Sequence, residues 1–123
     1  MGEKSYVCGY KHCVHKGEKV LESEAIIIGK KRYHKDCVKL SETIKLIKDT
    51  YLERMDSETN PVQLLSVINT MVFKKGIDVD YILFALEDTC SKGFKFKAPY
   101  TMYYFEKNLV LKEKWRKLNA DRQ

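Results

Sequence analysis

The sequence predicts an α+β protein, with a small β-hairpin module over residues 1–38 followed by a mainly α-helical bundle of about four helices over residues 39–123. Three observations predict it. Three of the four cysteines and all three histidines fall within residues 8–37, among short β-branched runs. From residue 38 onward the apolar residues recur at steps of three and four, the period of one face of a helix. The formal charge of +6 is confined to the far end, because residues 1–91 carry 14 basic and 14 acidic side chains while residues 92–123 carry 9 and 3. A chain of 123 residues suffices for one domain, or for a module beside a small helical domain.

The first residues, Met-Gly-Glu-Lys-Ser-Tyr, lack the apolar stretch of a secretory signal peptide, and Tyr6 stands where myristoylation of Gly2 needs Ser or Thr. The longest uninterrupted apolar run, Tyr81 to Leu86, is far shorter than the roughly 20 residues that span a bilayer. A cytoplasmic protein without membrane contact is therefore expected. In that reducing compartment, cysteines clustered with histidines serve a metal more often than a disulfide. Cys90 stands apart from the cluster.

The cluster reads Cys8-x4-Cys13, then twenty residues, then His34-x2-Cys37. Two close ligand pairs brought together across a hairpin suit tetrahedral zinc, which accepts thiolate and imidazole alike and has no geometric preference of its own. The predicted ligands are Cys8, Cys13, His34 and Cys37, with His12 and His15 as competitors and His15 the nearer substitute. Four protein ligands leave no open position for water, so the zinc is expected to be structural. Three thiolates on one divalent ion leave a net charge of −1, which Lys11, Lys16, Lys31, Arg32 and Lys35 can offset. Between the pairs, Val20–Ser23 and Ala25–Ile28 favour strands, and Gly29-Lys30 forms a tight turn into Lys31-Arg32-Tyr33.

The segments Tyr6-Val-Cys-Gly-Tyr-Lys-His-Cys13 and Gly29-Lys-Lys-Arg-Tyr-His-Lys-Asp-Cys37 resemble the first zinc-binding half of a LIM-type finger, including the aromatic residue before the ligand histidine. They depart from it in the four-residue gap of the first pair and in lacking a second zinc set. The same segments resemble the N-terminal finger of small proteins carried by phages of low-GC Gram-positive bacteria. In those proteins a helical region follows, with a late aromatic segment near a Pro-Tyr, as in Ala98-Pro-Tyr-Thr-Met-Tyr-Tyr-Phe105 here. The resemblance implies a mobile-element origin, hence a host-cell cytoplasm, and implies no activity.

In the helical part, Leu40, Ile44, Ile47, Tyr51 and Met55 mark a first amphipathic helix that ends before Ser57. Asn60-Pro61 is a start signal, an amide cap followed by proline at the first helical position, for a second helix to residue 75. Its expected stripe is Val62, Leu65, Ile68 and Val72, widened by Leu64 and Met71, and Gly76 is its expected stop. Asp78 caps a third helix whose core face is Tyr81, Ile82, Ala85 and Leu86, stopped by Gly93. Phe94-Lys-Phe-Lys97 alternates like an edge strand or extended linker, and Tyr104, Leu111, Trp115 and Leu118 return to helical spacing after Pro99.

The second and third helices have helix-turn-helix spacing. A recognition helix carrying Asp78, Asp80, Glu87 and Asp88 has the wrong sign for a phosphate-lined groove, however, so the pair is expected to be core. No glycine-rich phosphate loop is present, and the acidic residues are scattered, so a non-enzymatic protein is expected. Partner contact is expected from the hairpin cations Lys30, Lys31 and Arg32, and from Lys95, Lys97, Lys112, Lys114, Arg116 and Lys117 among late aromatics. The expected partner is nucleic acid, DNA or RNA. The alternative is a protein-binding adaptor or inhibitor of a host or defence protein.

Overall fold

The computed structural model describes residues 4–13, 15 and 18–121; Lys16 lies outside them. The chain divides into two compact units, Met1–Glu42 and Thr43–Gln123.

The first unit holds two antiparallel strand pairs. β1 (Ser5–Tyr6) pairs with β2 (Val20–Leu21), and β3 (Ile26–Ile28) pairs with β4 (Lys31–Tyr33). Ile28 lies opposite Lys31, so Gly29 and Lys30 form a two-residue hairpin loop, and Gly29 adopts the positive φ of 62° that such a turn requires. The expected strand Val20–Ser23 is cut to two residues, because Glu22–Glu24 turns as a 3-10 helix before β3 begins. Cys8 forms a parallel bridge to Arg32, and the Gly9 N–H donates to the Arg32 carbonyl at 2.9 Å, which lays the first cysteine pair along β4. Only Val20 is a buried apolar residue here besides Cys8 and Cys37, among the described residues.

α1 (Lys35–Arg54) begins three residues earlier than its apolar period indicates, which puts Cys37 in its first turn. Ile44, Ile47, Tyr51 and, just beyond, Met55 are buried at the expected spacing, and Leu40 is half-buried.

In the second unit, α2 (Pro61–Asn69) starts as its cap indicates: the Asn60 side chain accepts from the N–H groups of Val62 and Gln63 at 2.9 and 3.4 Å. The helix then widens into a π turn over Thr70–Lys74 and stops at Gly76, whose φ is +66°. Its buried face is Leu64, Val67, Ile68 and Met71; of the expected residues Leu64, Ile68 and Met71 are buried, Leu65 and Val72 are half-buried, and Val62 is 78% exposed. The apolar stripe is broad, and the packing partner decides where its buried face is centred.

α3 (Val79–Ser91) is capped by Asp78, whose carboxylate accepts from the Asp80 N–H at 2.8 Å, and it buries Tyr81, Ile82, Ala85 and Leu86 as its spacing indicates. Residues 94–97 form no strand. Pro99–Lys107 is a 3-10 helix, and its buried side chains Pro99, Met102 and Phe105 recur every three residues, the period of that helix. α4 (Leu109–Asp121) packs on α3, burying Leu111. The Tyr81 hydroxyl donates to the Phe105 carbonyl at 2.7 Å, tying α3 to the 3-10 helix. The architecture is α+β, with the strands at the N-terminal end and helices thereafter.

Candidate metal centre

The four residues marked by spacing are the four that the fold gathers. The ligand atoms of Cys8, Cys13, His34 and Cys37 all lie within 4.8 Å of one another. Cys8 is carried by the bridge to β4, and Cys13 follows through a turn in which its N–H donates to the Tyr10 carbonyl at 3.2 Å. His34 directly precedes α1, and its carbonyl accepts from the Val38 N–H at 3.1 Å, opening the helical ladder. Three residues later, Cys37 reaches back over the same turn, where the positive end of the helix favours a thiolate.

The spacing within the cluster is tight. Cys13 Sγ lies 3.5 Å from His34 Nδ1, Cys37 Sγ lies 3.7 Å from Cys13 Sγ, and Cys37 Sγ lies 3.8 Å from His34 Nδ1. No disulfide forms among these cysteines. Cys37 is fully buried, and Cys8 nearly so, which is costly for bare thiolates but suits thiolates bound to a cation. Such a donor set can hold one metal ion through four protein ligands.

Gly9 is the close approach that permits this arrangement. A Cβ there would meet Lys31 Cδ and the Tyr33 ring at 3.0 Å, so any side chain after Cys8 would force these two side chains to shift. His15 stands beside the cluster rather than within it. Its ring is 4.2 Å from that of His34, and its Nε2 lies 3.3 Å from an Asp36 carboxylate oxygen. His12 packs edge-on to Tyr10.

Comparison with known proteins gives no match. No family model fits the chain, and neither a curated protein nor a solved structure is detectably similar to it.

The cations marked as contact residues are distributed unevenly. Lys30 and Lys31 are exposed on the hairpin, whereas Arg32 is half-buried with its guanidinium carbon 3.9 Å from the centre of the Tyr6 ring. In the second unit Lys97, Lys112 and Lys117 are exposed. Lys95 donates to the Arg54 carbonyl at 2.6 Å, Lys114 lies 3.6 Å from Asp88, and Arg116 lies 3.3 Å from Glu113.

Two hollows of this unit escape sequence reasoning. One, of about 680 Å³, runs between the Lys75–Asp78 turn and α4 over Tyr81 and Trp115; of its three cations, Lys75 and Arg116 are each held by a carboxylate, Glu106 and Glu113, and the third is the exposed Lys112. The other, of about 390 Å³, is lined by Phe94, Phe96 and Tyr104 with Lys92 at its edge. Among the described residues no helix is long and apolar enough to cross a membrane.

Proposed function

We propose that this chain is a non-enzymatic, zinc-binding protein of phage type that associates with nucleic acid or nucleic-acid machinery in a host cytoplasm. Zinc is supported by the donor set and by the cluster's edges. A tetrahedral zinc ion bound at about 2.3 Å to sulfur and about 2.0–2.1 Å to nitrogen has edges of roughly 3.8 Å between sulfurs and roughly 3.6 Å between sulfur and nitrogen. Three of the six edges here are 3.7 Å for Cys13–Cys37, and 3.5 and 3.8 Å from His34 Nδ1 to Cys13 and Cys37, and Cys8 completes the set within 4.8 Å. A site filled by four side chains offers no place for a reacting water, so the ion's role is to hold Cys8 and Cys13 against β4 and the start of α1.

The observation that carries the nucleic-acid reading is a set of aromatic rings left in solvent among lysines. Phe94, Tyr100 and Tyr104 are exposed large side chains, interleaved in sequence with exposed Lys92, Lys95, Lys97 and Lys107. Cations meet phosphates, and exposed rings offer faces to bases. The test is fluorescence anisotropy with labelled single-stranded and duplex DNA and RNA. Binding is expected at low salt, weakening steeply between roughly 50 and 200 mM, because displaced counterions carry the affinity. No binding to any strand at the lower salt ends this reading.

A second reading, a protein-binding adaptor or inhibitor of a host or defence protein, draws support from β3. Its Ile27 and Ile28 are 62% and 53% exposed, and β4 is the only strand with which β3 pairs among the described residues. An extended partner segment can add to such an edge. Partners captured from nuclease-treated host lysate, and lost with Ile27→Lys, would favour it over the first.

A further inference from the structure

We infer that the groove lined by Phe94, Phe96 and Tyr104 is a base-stacking site that selects single-stranded nucleic acid; this rests on the nucleic-acid reading above. The groove, of about 390 Å³, is mostly apolar, and its two charged lining residues are the pair Asp88 and Lys92. Phe96 is half-buried against Phe105, their ring centres 5.8 Å apart, and forms part of its floor. Phe94 and Tyr104 also line it, each 61% exposed, so both aromatic side chains are open to solvent beside an apolar groove.

The backbone that carries both rings is held in place before any ligand arrives. The Phe94 N–H donates to the Thr89 carbonyl at 3.3 Å, and the Phe96 N–H to Met55 Sδ at 3.4 Å, so the irregular 94–97 stretch is pinned at two points. Tyr104 is carried by the 3-10 helix, whose own side chains Met102 and Phe105 are buried. A stacking site built this way loses little entropy on binding.

The charge at the groove favours an anionic chain. Asp88 faces two ammonium groups, Lys92 Nζ at 2.9 Å and Lys114 Nζ at 3.6 Å, so the one carboxylate of the groove wall is over-neutralised. Asn108 also lines the groove; its side-chain oxygen accepts from the Leu111 N–H at 3.0 Å, which turns the amide so that its NH₂ is the group left to donate to a base edge. Duplex nucleic acid keeps its bases stacked on each other and offers this groove only phosphates. An unpaired strand offers both phosphate and ring.

The experiment uses the whole zinc-loaded protein and three labelled ligands of equal length: an oligothymidylate of about 16 nucleotides, a duplex, and an abasic strand that keeps the phosphates and lacks the bases. The oligothymidylate is expected to bind most tightly. Phe94→Ala and Tyr104→Ala should each weaken it by roughly tenfold or more, leave the abasic strand unchanged, and leave the far-ultraviolet circular dichroism of the protein intact, while Phe94→Trp retains binding.

Equal affinity for abasic and base-bearing strands, or indifference of oligothymidylate to both alanine variants, overturns the groove as a base site while the broader nucleic-acid reading stands. A labelled acidic amphipathic peptide that binds in a Phe94-dependent manner, with no such response from oligothymidylate, assigns the groove to a protein and overturns the inference likewise. Absence of binding to all three ligands removes the nucleic-acid reading itself, and this inference with it.

Discussion

If the Cys8–Cys13–His34–Cys37 cluster holds the proposed zinc, removing it should unfold one unit and spare the other. In the first unit Val20 is the only buried apolar side chain, among the described residues, that is not a cysteine of the cluster. Burying one valine contributes about 1.5–3 kcal/mol, far below the conformational entropy lost in ordering a segment of this length. Structural zinc in small fingers supplies about 10–16 kcal/mol of apparent binding energy at neutral pH. The second unit, by contrast, buries Ile44, Ile47, Tyr51, Leu64, Ile68, Met71, Ile82, Leu86, Met102 and Phe105 with no help from a metal. Excess chelator should therefore release the strand pairs and fray the first turns of α1, with limited loss of helical circular dichroism, since α2, α3 and α4 contain no ligand. Limited proteolysis with mass spectrometry reads this directly: cleavage between residues 4 and 34 should accelerate sharply on chelation, and cleavage within residues 61–120 should not. Cys37→Ser should behave like the chelated protein. Protection of residues 4–34 that survives verified removal of metal would refute the reasoning.

Gly9→Ala brings a Cβ to 3.0 Å from the Tyr33 ring and should cost about 1–3 kcal/mol of overpacking, read as earlier loss of zinc to a competing chelator. Tyr81→Phe deletes a buried hydrogen bond to the Phe105 carbonyl, which keeps a weaker bond from the Asn108 N–H at 3.4 Å. The cost should be about 1 kcal/mol, or a fall in melting temperature of roughly 4–8 °C for a unit of this size. Asn60→Ala removes the acceptor for two N–H groups at the start of α2 and should cost about 1 kcal/mol in urea unfolding. Burial pushes the phenols of Tyr51 and Tyr81 above their ordinary value of 10.0. The unfolded chain therefore gives up these protons first, and stability should hold up to about pH 10 and fall beyond it; Tyr81→Phe should make the fall shallower.

What was legible in the sequence was local. Cys8, Cys13, His34 and Cys37 declare themselves because each ligand pair is close in sequence and one tight turn, Gly29-Lys30, brings the pairs together. Asn60-Pro61 and Asp78 mark helix starts through hydrogen bonds made within three residues. α3 shows its face because Tyr81, Ile82, Ala85 and Leu86 hold one period throughout. Where two readings are locally equal, only packing decides. The apolar stripe of α2 is broad, and the fold centres its buried face on Leu64, Val67, Ile68 and Met71, leaving Val62 in solvent. Pro99, Met102 and Phe105 recur at three, too near the α-helical period to be told apart over nine residues. The groove was legible only as composition, a run of late aromatics among lysines, and its shape was not. Its rings at Phe94 and Tyr104 come from an irregular segment and a 3-10 helix, and no shared period links them.

The division of labour between metal and core makes the functional proposals separable. Every candidate metal ligand lies within residues 8–37, and every residue of the stacking groove lies within residues 88–111. If the groove supplies the base contacts, chelation should leave the preference for oligothymidylate over an abasic strand in place, because Phe94, Phe96 and Tyr104 are held by Thr89, Met55 and the buried face of the 3-10 helix. What chelation removes is the ordered presentation of Lys30 and Lys31 on the hairpin loop. If those lysines touch phosphate, the slope of log affinity against log salt should shrink by up to about 0.7 for each single-strand phosphate that they no longer neutralise. A protein that loses base preference on chelation yet keeps its salt slope would reverse this assignment, giving the stacking to the metal-held unit and the phosphate binding to the helices.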